Sequence, residues 1–194
     1  DLWIAAVGML GGNAVMAGFL TFFPTLMLNT YAVSLEWSGV LLFIGFAASG
    51  LLSIALGYFI TITGKRNQVL MTMGLIMVAG HIGMTLTGSP LILVPLFAIA
   101  WSMHAFYPIL FSVPFHLPNI RPKETSFAIA FIMVATTAGI LIGPLIVGYL
   151  EGAFGNLKMP LIIVACFGIT VTIAGLSLRH KVATAPSKET HGFS

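Results

Sequence analysis

The longest stretch of the sequence without Asp, Glu, Lys or Arg runs from 67 to 120 and reads NQVLMTMGLIMVAGHIGMTLTGSPLILVPLFAIAWSMHAFYPILFSVPFHLPNI. A bilayer core about 30 Å thick is crossed by around 20 apolar residues in a helix. As a single helix the stretch would be about 81 Å long, at a rise of about 1.5 Å per residue. The chain must therefore fold back, and the turn-like tripeptide Gly88-Ser89-Pro90 predicts where it reverses.

Four further charge-free stretches are each long enough for one span, and they cover 2–35, 37–64, 125–150 and 159–178. The sequence therefore predicts an all-α membrane protein of six transmembrane helices, at about 3–28, 39–63, 69–88, 91–116, 126–150 and 158–178. Because the connections are too short to fold separately, residues 1–178 are predicted to form one domain. The polar segment 179–194 is expected to be a disordered cytoplasmic tail.

Composition excludes the other broad classes. Of the 194 residues, 58% are hydrophobic and 7% are charged, and the mean hydropathy is +1.06. A water-soluble domain carries roughly 25% charged residues, so this chain has too few to cover a soluble surface. Cys166 is the single cysteine, which excludes a disulfide-rich secreted fold. Eight basic residues are too few for a surface that follows phosphates, so no nucleic-acid partner is expected.

The basic residues predict the orientation. Six spans put both termini and the connections after spans two and four on the same side, and positive charge favours the cytoplasmic side. Lys158 alone falls on the other side, with Glu36 and Glu151. We therefore expect a multi-pass protein of the cell (plasma or inner) membrane with both termini cytoplasmic. The cytoplasmic group comprises Lys65, Arg66, Arg121, Lys123, Arg179, Lys181 and Lys188.

Small residues predict where helices approach each other closely, since association in lipid depends on close backbone contact. In span two Gly45, Ser49, Ser53 and Gly57 recur every four residues, and span five has Gly139, Gly143 and Pro144. Two interpretations stay open: static packing faces, or seams along which helices slide in a transporter. Span four contains Pro95, Pro108 and Pro114, which should kink it and favour a position beside a cavity.

Few polar side chains fall near the middle of a span. Asn13 needs a hydrogen-bond partner in hydrocarbon, either another helix or a solute. Trp101 and His104 share one face of span four with Phe97, Pro108 and Ser112, a pattern that suits an amphipathic organic solute. Ionisable residues inside membranes are functional candidates. Of the two histidines, His104 ranks above His81, because His81 sits between two glycines. A neutral histidine bonded to a neighbouring helix is the competing interpretation.

No carboxylate, Lys or Arg lies inside any predicted span. The chain therefore offers no Asp or Glu proton relay, and no metal or cofactor site is predicted. If transport is coupled to a proton, either His104 titrates or the coupling group lies on another part of the protein.

Three motifs carry a family resemblance. Gly57-Tyr-Phe-Ile-Thr-Ile-Thr-Gly64-Lys65-Arg66 is similar to the loop signature G-x-L-x-D-R-x-G-R-R, with Thr61 and Ile62 in place of the acidic and first basic positions. Gly139-Ile-Leu-Ile-Gly143-Pro144-Leu-Ile-Val-Gly148 looks like a Gly-Pro motif of an eleventh helix. Asp1-Leu2-Trp3 is a frequent start of a seventh helix. Together they resemble the C-terminal six-helix half of a major facilitator superfamily (MFS) transporter.

The resemblance implies a half bundle of two inverted three-helix repeats, with solute bound near the midplane between two halves. An N-terminal six-helix half is then a missing partner, and this chain alone is not expected to transport. Spans one, two, four and five would line the cavity, while three and six face lipid. The implied solute contacts are Asn13, Trp101, His104 and Thr137, and the implied cytoplasmic gating loop comprises Gly57, Gly64, Lys65 and Arg66.

The function predicted is secondary active transport of a small organic solute by alternating access, not catalysis. Two alternatives remain. A six-span channel or self-associating half-transporter would need no second half, although the Asn-Pro-Ala turns of aquaporins are absent. An intramembrane serine protease would need a Gly-x-Ser-Gly turn, and Ala47-Ala48-Ser49-Gly50 lacks the first glycine.

Overall fold

The computed structural model describes residues 1–117 and 121–178, and every regular element in those two ranges is helical. In this part of the chain, six helices are long and apolar enough to cross a membrane. They are α1 (Leu2–Tyr31), α2 (Leu35–Thr63), α3 (Arg66–Leu86), α4 (Leu91–His116), α5 (Pro122–Phe154) and α6 (Lys158–Ser177). The prediction of an all-α fold with six membrane-length helices is confirmed. The predicted tail, 179–194, lies outside the described residues.

Most helices are longer than their predicted spans. α5 was predicted at 126–150 but runs from Pro122 to Phe154, so it includes Lys123, Glu124 and Glu151. Charge-free stretches mark the part of a helix that fits the hydrocarbon, and a helix continues into the polar interface beyond it. The chain reverses between α3 and α4 at the predicted place, since α3 ends at Leu86 and helix resumes at Pro90.

Caps explain several of these ends. The Ser34 side chain accepts a hydrogen bond from the Trp37 backbone N–H at the start of α2. Gly64 ends α2 and Gly155 ends α5, each with φ of 67°, a left-handed conformation that glycine adopts without strain. At the start of α5 the Glu124 carboxylate accepts a hydrogen bond from the Arg121 backbone N–H at 2.9 Å.

Two of the six helices are interrupted. In α4, helix begins one residue before Leu91, with an α-helical segment at Pro90–Ser102. A 3₁₀ turn at Met103–Phe106, a short α-helical segment at Tyr107–Phe111 and a second 3₁₀ turn at Val113–His116 follow. Pro108 and Pro114 lie at these changes, as expected of residues that cannot donate a backbone hydrogen bond. α6 has a 3₁₀ turn at Cys166–Gly168. α1 and α5 stay continuous through Pro24 and Pro144.

α1 is the central helix. Of its most apolar segment 67% is buried, against 11% for α2 and 17% for α5. α5 packs on it through Gly139 and Gly143, which lie against the backbone carbonyls of Leu10 and Ala14. A side chain at either glycine would collide with α1, because even a Cβ at Gly139 would lie only 3.0 Å from the Asn13 Cβ and closer still to the Leu10 oxygen.

Glycines mediate close contacts at other helix pairs as well. Gly74 on α3 faces Thr172 on α6, Gly80 on α3 faces Ala100 on α4, and Gly45 on α2 faces Trp101 on α4. Only the first part of the predicted small-residue row on α2 lies against another helix, however. Gly45 and Ser49 are buried and Ser53 is partly buried, but Gly57 is exposed, and no atom of the described residues lies within 4 Å of where its Cβ would be.

Hydrogen bonds join the ends of the helices. The Tyr31 hydroxyl at the end of α1 donates to the carbonyl oxygen of Thr87 after α3. At the opposite end of α3, the Asn67 amide donates to the Leu178 carbonyl oxygen at 2.5 Å, just after α6. α1 and α3 therefore finish at one end of the bundle, and α3 starts where α6 finishes. This alternation is what successive crossings of a layer require.

Candidate functional site

Trp101 and His104 lie where α4 changes from α-helix to 3₁₀ turn. Side chains three residues apart nearly eclipse each other in a 3₁₀ turn, and the two ring centroids are 5.2 Å apart with planes tilted by 47°. Trp101 has no exposed surface and His104 is 3% exposed. Both residues are therefore part of the interior of the bundle.

His81 on α3 completes a cluster with these two residues. Its ring is 5.4 Å from that of His104, edge to face at 84°, and 6.3 Å from that of Trp101. His81 is fully buried. We call His81, Trp101 and His104 the His–Trp–His cluster.

Each imidazole is tied to its own helix by one ring nitrogen. Nδ1 of His81 lies 2.7 Å from the Met77 carbonyl oxygen, and Nδ1 of His104 lies 3.0 Å from that of Trp101. Because a carbonyl oxygen only accepts, Nδ1 carries the proton in each neutral ring and Nε2 keeps a lone pair. Neither Nε2 atom, nor Nε1 of Trp101, has a hydrogen-bond partner among the described residues.

Aromatic rings surround the cluster. Phe19 of α1 meets His81 edge on at 4.4 Å, and Phe46 of α2 meets Trp101 edge on at 5.3 Å. Phe97 stacks on Trp101 at 5.2 Å. Gly45 of α2 makes room for the indole, since a Cβ there would come within 2.6 Å of it. The cluster is thus enclosed by helices α1 to α4.

Asn13 occupies a neighbouring position on α1 and is fully buried. Its amide nitrogen donates to the Met9 carbonyl oxygen at 2.7 Å, and its Oδ1 accepts from the hydroxyl of Tyr107 on α4. The Tyr107 hydroxyl also lies 3.4 Å from the sulfur of Met16. Asn13 therefore has its partners within the protein, and it joins α1 to α4.

Thr137 lies apart from both groups. It is on an exposed face of α5, and its hydroxyl donates to the carbonyl oxygen of Met133 at 3.0 Å, one turn back in the same helix. Among the four predicted solute contacts, the structure thus places Trp101 and His104 together, whereas Asn13 is bonded to Tyr107, three residues further along α4. It places Thr137 on the outside of the bundle.

Two residues of this region were not among the predicted solute contacts. His81 was ranked low because of its glycine neighbours and its helix, yet its ring packs on His104. Gly80 is the sequence feature that could have indicated this contact, because a glycine there allows α3 to approach Ala100 on α4. Tyr107 was not singled out, although it follows His104 by three residues, next to Pro108.

The predicted gating loop is short. Gly64 caps α2, Lys65 precedes α3 and Arg66 is the first residue of α3, whereas Gly57 lies within α2. Lys65 lines a cleft of about 400 Å³ between α2 and α3. The other residues that line this cleft are mostly apolar: Leu52, Leu56, Phe59, Gln68, Val69, Thr72, Met73, Ile76 and Met103.

No grouping of three His, Cys, Asp or Glu side chains suited to a metal ion occurs within 1–117 and 121–178. Cys166 is a free, exposed thiol. The buried side chains described above therefore provide hydrogen-bonding groups. These are two imidazole lone pairs, an indole N–H and the Asn13–Tyr107 pair.

No protein-family model matches this chain, and no curated protein is significantly similar to it in sequence.

Proposed function

We propose that this chain is the C-terminal six-helix half of a twelve-helix secondary active transporter of the MFS type, which moves a small organic solute by alternating access. The observation that carries the proposal is the uneven burial of the helices. α2 and α5 are long and apolar, yet they are buried only to 11% and 17% over their most apolar segments, whereas α1 is buried to 67%. A second six-helix half packed on α2 and α5 would account for this difference.

The glycines of α2 support such a partner. Gly50 and Gly57 lie seven residues apart, and therefore on one face of the helix. Within 1–117 and 121–178, nothing lies within 4 Å of a Cβ at either position. Glycine weakens a helix and is retained in membranes mainly where another helix approaches closely. We propose that a helix of the second half packs along this face of α2.

The solute would enter between the two halves. Trp101 and His104 are closed off by α2 in this structure, through Gly45 and Phe46. The solute would therefore contact them only after α2 moves away from α4. Asn13 would act through Tyr107, which is partly exposed, while Thr137 already lies on an exposed face of α5. The same proposal includes inverted repeats formed by α1–α3 and α4–α6.

Charge supports the proposed orientation, with both termini in the cytoplasm of a plasma or inner membrane. The connection between α2 and α3 carries Lys65 and Arg66, and α5 begins beside Arg121 and Lys123, whereas Lys158 starts α6 at the opposite end. Lys65 and Arg66 would act as a cytoplasmic latch, bonding the C-terminal carbonyls of neighbouring helices in one state and releasing them in the other.

Uptake into proteoliposomes tests the proposal. The full-length protein that contains this chain is reconstituted and offered labelled organic anions, sugars and drugs. We expect at least one to accumulate, and we expect Gly50→Leu to reduce its uptake severalfold. Gly152→Leu is the matched control, because Gly152 on α5 likewise has no described residue within 4 Å of its Cβ position but lies in the last turn.

Two results would contradict the proposal. If residues 1–194 alone conduct a solute across the membrane, the chain is a channel or a self-associating half-transporter. If Gly50→Leu in the full-length protein has no more effect than Gly152→Leu, nothing packs on that face of α2.

A further inference from the structure

Buried polar atoms without a hydrogen-bond partner are grouped in one part of the bundle. Four buried side-chain nitrogen or oxygen atoms lack a hydrogen-bond partner in 1–117 and 121–178, and three of them belong to the His–Trp–His cluster. A buried polar group without a partner is costly, so such groups in native proteins are rarely left unsatisfied. Three in one cluster indicate a common partner.

The hydrogen-bonding character of these atoms specifies that partner. The Nδ1 atoms of both histidines are already bonded to backbone carbonyls, so each Nε2 is an acceptor. The indole Nε1–H of Trp101 can only donate. A shared partner must therefore offer two donors and one acceptor, and one water molecule can supply them, since it donates twice and accepts up to twice.

The size and surroundings of the cluster favour the same partner. The three ring centroids form a triangle with sides of 5.2, 5.4 and 6.3 Å, so the rings lie close together and a partner shared by their free nitrogens must be as small as water. Phe19, Phe46 and Phe97 wall the cluster and provide no polar group that could serve instead. The exposed fractions of His81, Trp101 and His104 are 0%, 0% and 3%, which excludes an organic solute while the helices are packed in this way.

We propose that the His–Trp–His cluster is a binding site for a single water molecule, which accepts from the indole N–H of Trp101 and donates to Nε2 of His81 and of His104. Buried waters typically make about three hydrogen bonds to otherwise unsatisfied groups, as here. The water joins α3 to the 3₁₀ turn of α4. This site belongs to the packed arrangement of α1–α4 and does not depend on whether the protein is a transporter.

Solid-state NMR of the full chain in lipid bilayers tests the proposal. The protein carries ¹⁵N-labelled histidine and tryptophan, and polarisation is transferred from water to the ring nitrogens. We expect water contact at Nε2 of both His81 and His104 and at Nε1 of Trp101, with both imidazoles protonated on Nδ1. His81→Phe and His104→Phe assign the signals, because each removes one of them.

Trp101→Phe removes the donor and should abolish or strongly reduce the transfer to both histidines. Trp37→Phe is the control, because Trp37 is 65% exposed on the outside of α2 and should leave the transfer unchanged. Absence of water transfer in the wild-type protein would overturn the proposal even if Trp101→Phe does not fold. A direct Trp101–histidine hydrogen bond, or protonation of either ring on Nε2, would overturn it as well.

Discussion

His81 of α3 and His104 of α4 meet edge to face in the interior of the bundle, with ring centroids 5.4 Å apart and ring planes at 84°. Each ring is held by a hydrogen bond from Nδ1 to a carbonyl oxygen of its own helix. Both lie in the stretch 67–120, which contains no Asp, Glu, Lys or Arg. The contact therefore brings together two of the few ionisable groups available in the apolar part of the protein.

His104→Ala in the full-length protein should reduce solute uptake at least severalfold without lowering its abundance in the membrane. Under the proposed function, the imidazole is one of the polar groups that the solute meets when α2 moves away from α4. His116→Ala is the control, since His116 lies on the same helix but is exposed. Uptake and surface abundance are measured in parallel. Unchanged uptake in His104→Ala would remove His104 from the solute site.

Gly139→Ala should lower the thermal midpoint of unfolding in detergent. A Cβ at this position would be forced against the Leu10 carbonyl and the Asn13 side chain, so α5 must move away from α1. Overpacking of this kind costs roughly 1–3 kcal/mol. Gly152→Ala, in the same helix with open space around it, should be neutral. Equal midpoints for the two variants would show that α1 and α5 are not packed through Gly139.

Tyr107→Phe should destabilise the protein by about 1 kcal/mol, the usual contribution of one hydrogen bond. The variant removes the hydroxyl that bonds Oδ1 of Asn13 and leaves that buried oxygen without this donor. Tyr149→Phe provides the comparison, because Tyr149 is 81% exposed on α5. The two variants are compared by thermal unfolding in the same detergent. If Tyr149→Phe costs as much, the Asn13–Tyr107 bond contributes nothing specific.

The number of helices and the position of the reversal between α3 and α4 could be predicted, because hydropathy and turn residues are local properties of the chain. Helix ends were less well predicted at α5, where Lys123, Glu124 and Glu151 remain helical beyond the charge-free stretch. Breaks in α4 were anticipated from its prolines, but the 3₁₀ turn at Met103–Phe106 begins five residues before Pro108.

The candidate site was predicted only in part, because its contacts join distant parts of the chain. The α4 face that carries Trp101 and His104 follows from helical spacing, but no local pattern shows that His81 lies beside them. Likewise, Asn13 needed a partner by its chemistry alone, yet its partner Tyr107 is 94 residues away. Whether Thr137 faces the interior or the outside of the bundle depends on how α5 packs on α1. That packing is set by Gly139 and Gly143.

The proposed transporter half requires six crossings of the membrane with both termini in the cytoplasm, and sided cysteine labelling measures this topology directly. All native cysteines of the full-length protein, Cys166 among them, are replaced by serine. A single cysteine is then placed either at Glu36, in the first turn of α2, or at Lys65, just after its end. A membrane-impermeant maleimide applied to intact cells should label the Glu36→Cys variant and not the Lys65→Cys variant, with the reverse result in inside-out vesicles. Labelling of both variants from the same side would contradict the topology, and with it the proposed transporter half.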